Sequence, residues 1–97
     1  MMAGVTDQKA IIATVTGRVQ GVGYRYAVVR EAQELGLVGW VRNVTDGSVE
    51  TWAQGDEPNL EQLVAFMREG PRQALVRSVD ILSVNPDPSL RGFAVRF

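Results

Sequence analysis

Lys9–Gly36 reads KAIIATVTGRVQGVGYRYAVVREAQELG, and its hydrophobic period changes once along its length. From Lys9 to Thr16 the side chains alternate, with Ile11, Ala13 and Val15 on one face and Ile12, Thr14 and Thr16 on the other. That is the period-two pattern of a half-buried strand, and Gly17 is expected to close it. From Tyr24 to Leu35 the spacing becomes helical: Tyr24, Ala27, Val28, Ala32 and Leu35 gather on one side. Gly36 then stands where a left-handed C-terminal cap belongs. The stretch is a strand, a glycine-rich junction and a helix.

Working outward, Val38–Val44 and Ser48–Gln54 are β-branched and aromatic-rich runs joined through Thr45, Asp46 and Gly47. An Asp-Gly pair between two such runs predicts an antiparallel hairpin. Asp56 then offers an N-cap and Pro58 suits a first helical turn. Leu60, Leu63, Val64 and Met67 form one apolar stripe before Gly70-Pro71 ends the helix. Leu75–Val84 reads as a strand, Asn85–Gly92 (NPDPSLRG) as a turn-rich loop and Phe93–Phe97 as a short closing strand. The order β-α-β-β-α-β plus a terminal β predicts an α+β fold. Its form is a ferredoxin-like βαββαβ sandwich, an antiparallel sheet with two helices on one face and a short C-terminal strand. In that arrangement the first and second strands run parallel with the third between them. Thr16-Gly17 and Asn43-Val44 therefore lie at the same end of the sheet, about 10 Å apart, twice the inter-strand spacing. A phosphate-sized anion and a water fit such a gap. Residues 1–97 are expected to form a single domain, with 1–8 a flexible N-terminus.

Composition removes much chemistry. The 97 residues include 10 basic and 11 acidic side chains, a formal charge of -1, and neither histidine nor cysteine. Zinc fingers, haem histidines, Ser-His-Asp relays, thiolates and imidazole bases are excluded, which leaves a carboxylate-only hard-metal site possible in principle. Cysteine-free usage fits the cytoplasm. Met1–Gln8 lacks a basic and apolar leader, and no run approaches the roughly 18 apolar residues of a membrane span, so neither is expected. Near-neutral charge, with no aromatic RNA-stacking signature, argues against a nucleic-acid partner. Lys9 is the one lysine beside nine arginines. The available tools are Arg, Asn, backbone amides, carboxylates and water.

The junction Gly17-Arg18-Val19-Gln20-Gly21-Val22-Gly23-Tyr24-Arg25 is informative by what it lacks. A helix leaves its first amides unpaired, and Ser, Thr, Asp or Asn usually caps them; none stands between Gly17 and Tyr24. Free amides at a positive dipole end make an anion cradle, and Arg25 adds a fork suited to phosphate or carboxylate oxygens. An arginine in a first turn opposes the macrodipole unless an anion accompanies it. A tight turn whose glycines serve packing, with Arg25 solvated, is the plainer alternative. On the residues alone, Asn43 reads as a turn-former bonding its own backbone. Trp40, Trp52, Phe66, Phe93 and Phe97 read as packing residues, Arg18 and Arg42 as solvated or paired, and Asp56, Glu57 and Glu61 as first-turn helix acids.

GRVQGVGYR at 17–25 resembles the signature of the acylphosphatases. Gly39-Trp40-Val41-Arg42-Asn43-Val44 followed by Asp46-Gly47-Ser48-Val49-Glu50 is similar to that family's second signature. The Gly70-Pro71 helix end, the strand around Val79 and the closing Gly92–Phe97 also fall where the family has them. The resemblance implies a metal-independent hydrolase that cleaves small acyl phosphates to carboxylate and inorganic phosphate, without cofactor, as a monomer. It implies phosphate binding by the backbone at Gln20, Gly21, Val22, Gly23, Tyr24 and Arg25, with Arg25 gripping the oxygens and Asn43 holding the attacking water. Tyr24 stands where the family commonly has Phe, and Phe97 where it often ends in Tyr; both bear on loop stability or substrate preference. The chemistry suits the scarce toolkit, because the carboxylate leaving group needs no acid and phosphoryl transfer is largely positioning and charge stabilisation. A carboxamide both donates to and accepts from a water. The competing reading is a non-catalytic ferredoxin-like module that binds phosphate or regulates a partner.

Overall fold

The computed structural model describes residues 8–97; of the stretch expected to be flexible, only Gln8 lies within the described residues. The elements follow in the order β1 (Lys9–Arg18), α1 (Tyr24–Glu34), β2 (Val38–Asn43), β3 (Val49–Gly55), α2 (Glu57–Glu69), β4 (Leu75–Val84) and β5 (Phe93–Val95). They form one five-stranded sheet in the order β4-β1-β3-β2-β5. β3 is antiparallel to both β1 and β2, so β1 and β2 are parallel with β3 between them, as the pattern predicts. β5 pairs parallel to β2, which makes the sheet mixed at that edge.

The alternation in β1 sorts residues into rows that cross the sheet. Ile11, Ala53, Gly39 and Phe93 form one row, and Ala13, Thr51, Val41 and Val95 the next. Val79, Val15, Val49 and Asn43 form the third. These rows face the helices. Tyr24, Val28 and Ala32 of α1 and Leu60, Leu63 and Met67 of α2 complete the core against them. α1 lies over β2 and β5, and α2 over β4, β3 and β1. Burying each such aliphatic side chain contributes about 1.5–3 kcal/mol, which is what fixes the strand register.

Strand ends shift by a residue at β2 and β3, and other features depart further from the sequence reading. β1 does not stop at Gly17: it continues to Arg18, pairing with Leu75, through a bulge at Thr16/Gly17. A glycine at a bulge keeps a strand alive that a glycine at an end would close. Asp56 is the N-cap residue of α2, yet its side chain makes no cap hydrogen bond. β5 ends at Val95, so Phe97 lies beyond it; its ring is 96% exposed, not packed.

On the uncovered face Trp40 and Trp52 sit side by side with ring centroids 6.5 Å apart. The Arg96 guanidinium lies 4.7 Å from the Trp40 centroid. The loop from β4 to β5 must travel from one sheet edge to the other, and Gln54 fastens it. Gln54 Nε2 donates to the Asp87 carbonyl (3.0 Å), while its Oε1 accepts from the Asp87 amide (2.7 Å) and from Trp52 Nε1 (3.2 Å).

Tyr24 links the two helices. Its hydroxyl donates to the carbonyl of Met67 (2.9 Å), one of the last carbonyls of α2, which a helix cannot satisfy internally. Tyr24→Phe leaves that buried oxygen unpaired and is expected to cost about 1–2 kcal/mol. Burial also holds the Tyr24 phenol above its ordinary 10.0. The unfolded chain therefore loses this proton at a lower pH than the folded protein, so the stability tied to the neutral phenol is complete below pH 10 and declines above it. Urea unfolding at pH 7 and pH 10.5 checks both points: the wild type loses part of its advantage over Tyr24→Phe at the higher pH.

Candidate active site

The junction of β1 and α1 is built without a side-chain cap. The N-cap residue is Gly23, in the left-handed conformation at φ 80° and ψ 13°. Gly21 is likewise at φ 74°, and a Cβ on either glycine would meet nothing within 4 Å. These glycines are therefore set by backbone angle, which L side chains adopt at a cost, and not by lack of space. Among the described residues the amides of Gly21 through Tyr26 find no acceptor, and the first bond of the helix is Ala27 to the Gly23 carbonyl. Val19 is buried at the loop's root and Tyr24 at its end, so the turn is anchored on both sides. The result is a row of amides at a helix N-terminus, open to an anion.

Arg25 is half-buried and makes no ion pair among the described residues; its guanidinium carbon stands 5.5 Å from the Phe97 ring centroid. Arg96, one residue beyond Val95, the β5 register partner of Val41, donates its amide to the Val41 carbonyl (2.8 Å). The chain end is thereby carried past β2 toward Arg25. Sequence reasoning took Phe97 for a packing residue; its position beside Arg25 depends on the parallel pairing of β5, which no local pattern reports.

Asn43 closes the row Val79, Val15, Val49 across the sheet, at the β2 end and on the helix-covered face. Its Oδ1 is buried and has no hydrogen-bond partner among the described residues. The turn-forming role expected of it on residue type belongs to Asp46. Asp46 Oδ1 accepts from the Ser48 amide (2.9 Å) and hydroxyl (2.6 Å), and these bonds hold its carboxyl below the usual range, the hydroxyl contributing most. A buried polar oxygen without a partner is uncommon in a folded protein.

Gln20 joins the two halves. Its Nε2 donates to the carbonyls of Val44 (2.7 Å) and Ser48 (2.8 Å), both in the β2–β3 turn. Of the expected site residues Gln20, Gly21, Val22, Gly23, Tyr24 and Arg25, Gln20 is thus tied to the turn that follows Asn43. The side chain of Gln20 faces the turn, while that of Tyr24 faces the core. Arg42, by contrast, is outside the cluster: it faces the open side of the sheet and pairs with Glu50 (2.7 Å) directly across the ladder.

Comparison with known proteins gives the family. The Acylphosphatase family model matches residues 11–95. The chain is 50% identical over 86 residues to Acylphosphatase 2 of Ralstonia nicotianae, covering 89% of this chain and 90% of that one. Among solved structures it is similar to an acylphosphatase from Coxiella burnetii, with TM-score 0.85 and 40% identity over 93% of this chain and 94% of that one. It is similar also to acylphosphatase from Bacillus subtilis, with TM-score 0.88 and 34% identity over 92% and 99%. The signatures at 17–25 and 39–50, the βαββαβ sheet with its uncapped helix, and a match that spans nearly the whole sequence agree: the chain belongs to the acylphosphatase family.

Proposed function

We propose that the Gln20–Arg25 loop binds the phosphoryl group of a small acyl phosphate through its backbone amides, that Arg25 clamps its oxygens, and that Asn43 directs the attacking water. The observation that carries this reading is the pairing of unpartnered groups: free amides at a left-handed Gly23 N-cap on one side, and a free, buried Asn43 Oδ1 on the other. The amides and the Arg25 guanidinium supply positive charge where the equatorial oxygens gain negative charge, and they supply it already oriented. Asn43 Oδ1 accepts a hydrogen from the water and turns its lone pair toward phosphorus. The water oxygen bonds to phosphorus as the bond from phosphorus to the acyl oxygen breaks. The electron pair leaves with the carboxylate, and the water's proton passes to the phosphate product or to solvent. No general acid is needed, because a carboxylate is stable unprotonated at neutral pH.

The reading includes a monomer working in the cytoplasm on a small molecule, with inorganic phosphate as product and no nucleic-acid partner. A cysteine-free composition agrees with a reducing compartment. No helix among the described residues is long and apolar enough to cross a membrane. The test is hydrolysis of benzoyl phosphate with and without EDTA. Turnover unchanged by the chelator is expected. Phosphate binding by calorimetry with no hydrolysis would instead identify a binding module.

A further inference from the structure

We infer that Gln20 is a positioning residue, whose carboxamide holds the phosphate loop in register with the strand end that presents Asn43. The inference rests on the roles proposed for the loop and for Asn43. A carboxamide has two N–H donors, and Gln20 gives both to carbonyls, Val44 at 2.7 Å and Ser48 at 2.8 Å. Donors committed in that way do not reach a phosphate, so only the Gln20 backbone belongs to the anion cradle.

The two carbonyls are not arbitrary. Val44 follows Asn43 directly, and its own amide donates to the Ser48 carbonyl (2.9 Å), while Gly47 donates back to Val44 (3.0 Å). Gln20 therefore grips both sides of the first pair beyond the end of the β2–β3 ladder. Asn43 is the residue just inside that pair, opposite Val49. Its side chain makes no hydrogen bond of its own among the described residues, so its position comes from the backbone that Gln20 fixes. The other end of the brace is equally firm: Val19, beside Gln20, is 1% exposed and locked in the core. Among the described residues no other side-chain hydrogen bond joins the loop to that strand end. A displacement of about 1 Å between groups that must meet at one phosphorus atom costs up to about 100-fold in rate.

The experiment uses Gln20→Met and Gln20→Glu, which keep the side-chain length and lose both donors at neutral pH, together with Asn43→Ala and the double variant Gln20→Met/Asn43→Ala. Each is purified, checked for a cooperative thermal transition, and assayed on benzoyl phosphate with inorganic phosphate as competitive inhibitor. Expected is a fall in kcat of about 10-fold to 100-fold for Gln20→Met, with KM and the phosphate inhibition constant each changed less than about threefold. In the Asn43→Ala background the same substitution is expected to add less than about threefold, because the group it positions is already gone. Gln20→Glu, with a carboxylate turned on two carbonyls, falls at least as far as Gln20→Met and gives a second reading should the methionine variant fold poorly. A weakened phosphate inhibition constant with unchanged kcat would make Gln20 a phosphate ligand and overturn the inference, as would wild-type kcat in folded Gln20→Met. Full additivity with Asn43→Ala would also overturn it. Unimpaired hydrolysis by Asn43→Ala alone is a different result, which removes the role proposed for Asn43 and is told apart by that single variant.

Discussion

Arg25→Ala is expected to lower kcat/KM for benzoyl phosphate by about 10³-fold or more while leaving the fold intact. The size follows from the charge: one guanidinium aimed at a transferring phosphoryl group contributes about 10³ to 10⁵ in rate in related chemistry. Here it has no competing ion pair among the described residues, so its charge is available to the substrate. The loss divides between binding and turnover. Phosphate and the transition state both carry oxygens for Arg25 to hold, so the inhibition constant for inorganic phosphate weakens as kcat falls. Stability moves the other way. A cation in the first turn of α1 opposes the helix dipole, and its removal relieves about 0.3–1 kcal/mol, set against the lost contact with the exposed Phe97 ring. A thermal midpoint equal to or slightly above that of the wild type, in an enzyme all but inactive, is the combined result. Substantial turnover in the folded variant would remove Arg25 from the site. Arg25→Lys keeps the charge without the fork and is expected to fall between the two.

Asn43→Ala is expected to lower kcat by about 10²- to 10³-fold, the range for removal of one pre-oriented polar group from a reaction centre, with KM nearly unchanged. Directing water matters only as the bond to phosphorus forms, so ground-state binding is spared. Stability is spared as well, for a reason particular to this residue. Its Oδ1 is buried without a partner, so deleting it removes a desolvated polar atom and no hydrogen bond of the fold. Asn43→Asp tests the same position with opposite electrostatics: a carboxylate facing the phosphate raises KM in addition to lowering kcat. Steady-state kinetics with urea unfolding on each variant separates these outcomes. An Asn43→Ala protein with unimpaired kcat would return the residue to a purely structural place.

What the sequence disclosed was what is local. The alternation of Ile11, Ala13 and Val15, the helical spacing from Tyr24 to Ala32, and Asp46-Gly47 between two β-rich runs are each carried by neighbours, and the structure has β1, α1 and the hairpin there. The uncapped junction was legible for the same reason, since a missing cap residue is a local fact. The bonds that make the junction part of a site were not legible. Gln20 to Val44 and Ser48, Tyr24 to Met67, and Gln54 to Asp87 each join segments far apart in the chain, and no periodicity encodes a partner of that kind. Gly17 misled because one glycine is compatible with both an ending strand and a bulged one, and only the pairing with Leu75 decides between them. Phe97 misled because apolar character predicts burial only where there is a layer left to pack against, and the chain has run past its sheet partner by then.

The sheet order also bears on how slowly this small protein acquires activity. β1 is an interior strand because β3 and β4 flank it, and Ile12 has Trp52 on one side and Leu82 on the other, both distant along the chain. Loop-closure entropy must be met before either pairing is rewarded, and topologies rich in such contacts fold in about milliseconds to seconds. The loop proposed to bind the anion leaves β1 and Asn43 ends β2, so neither faces the other until β3 has docked between them. A nascent or refolding chain carries every residue of the proposed site within its first half, yet that site is not assembled until its middle strand is in place.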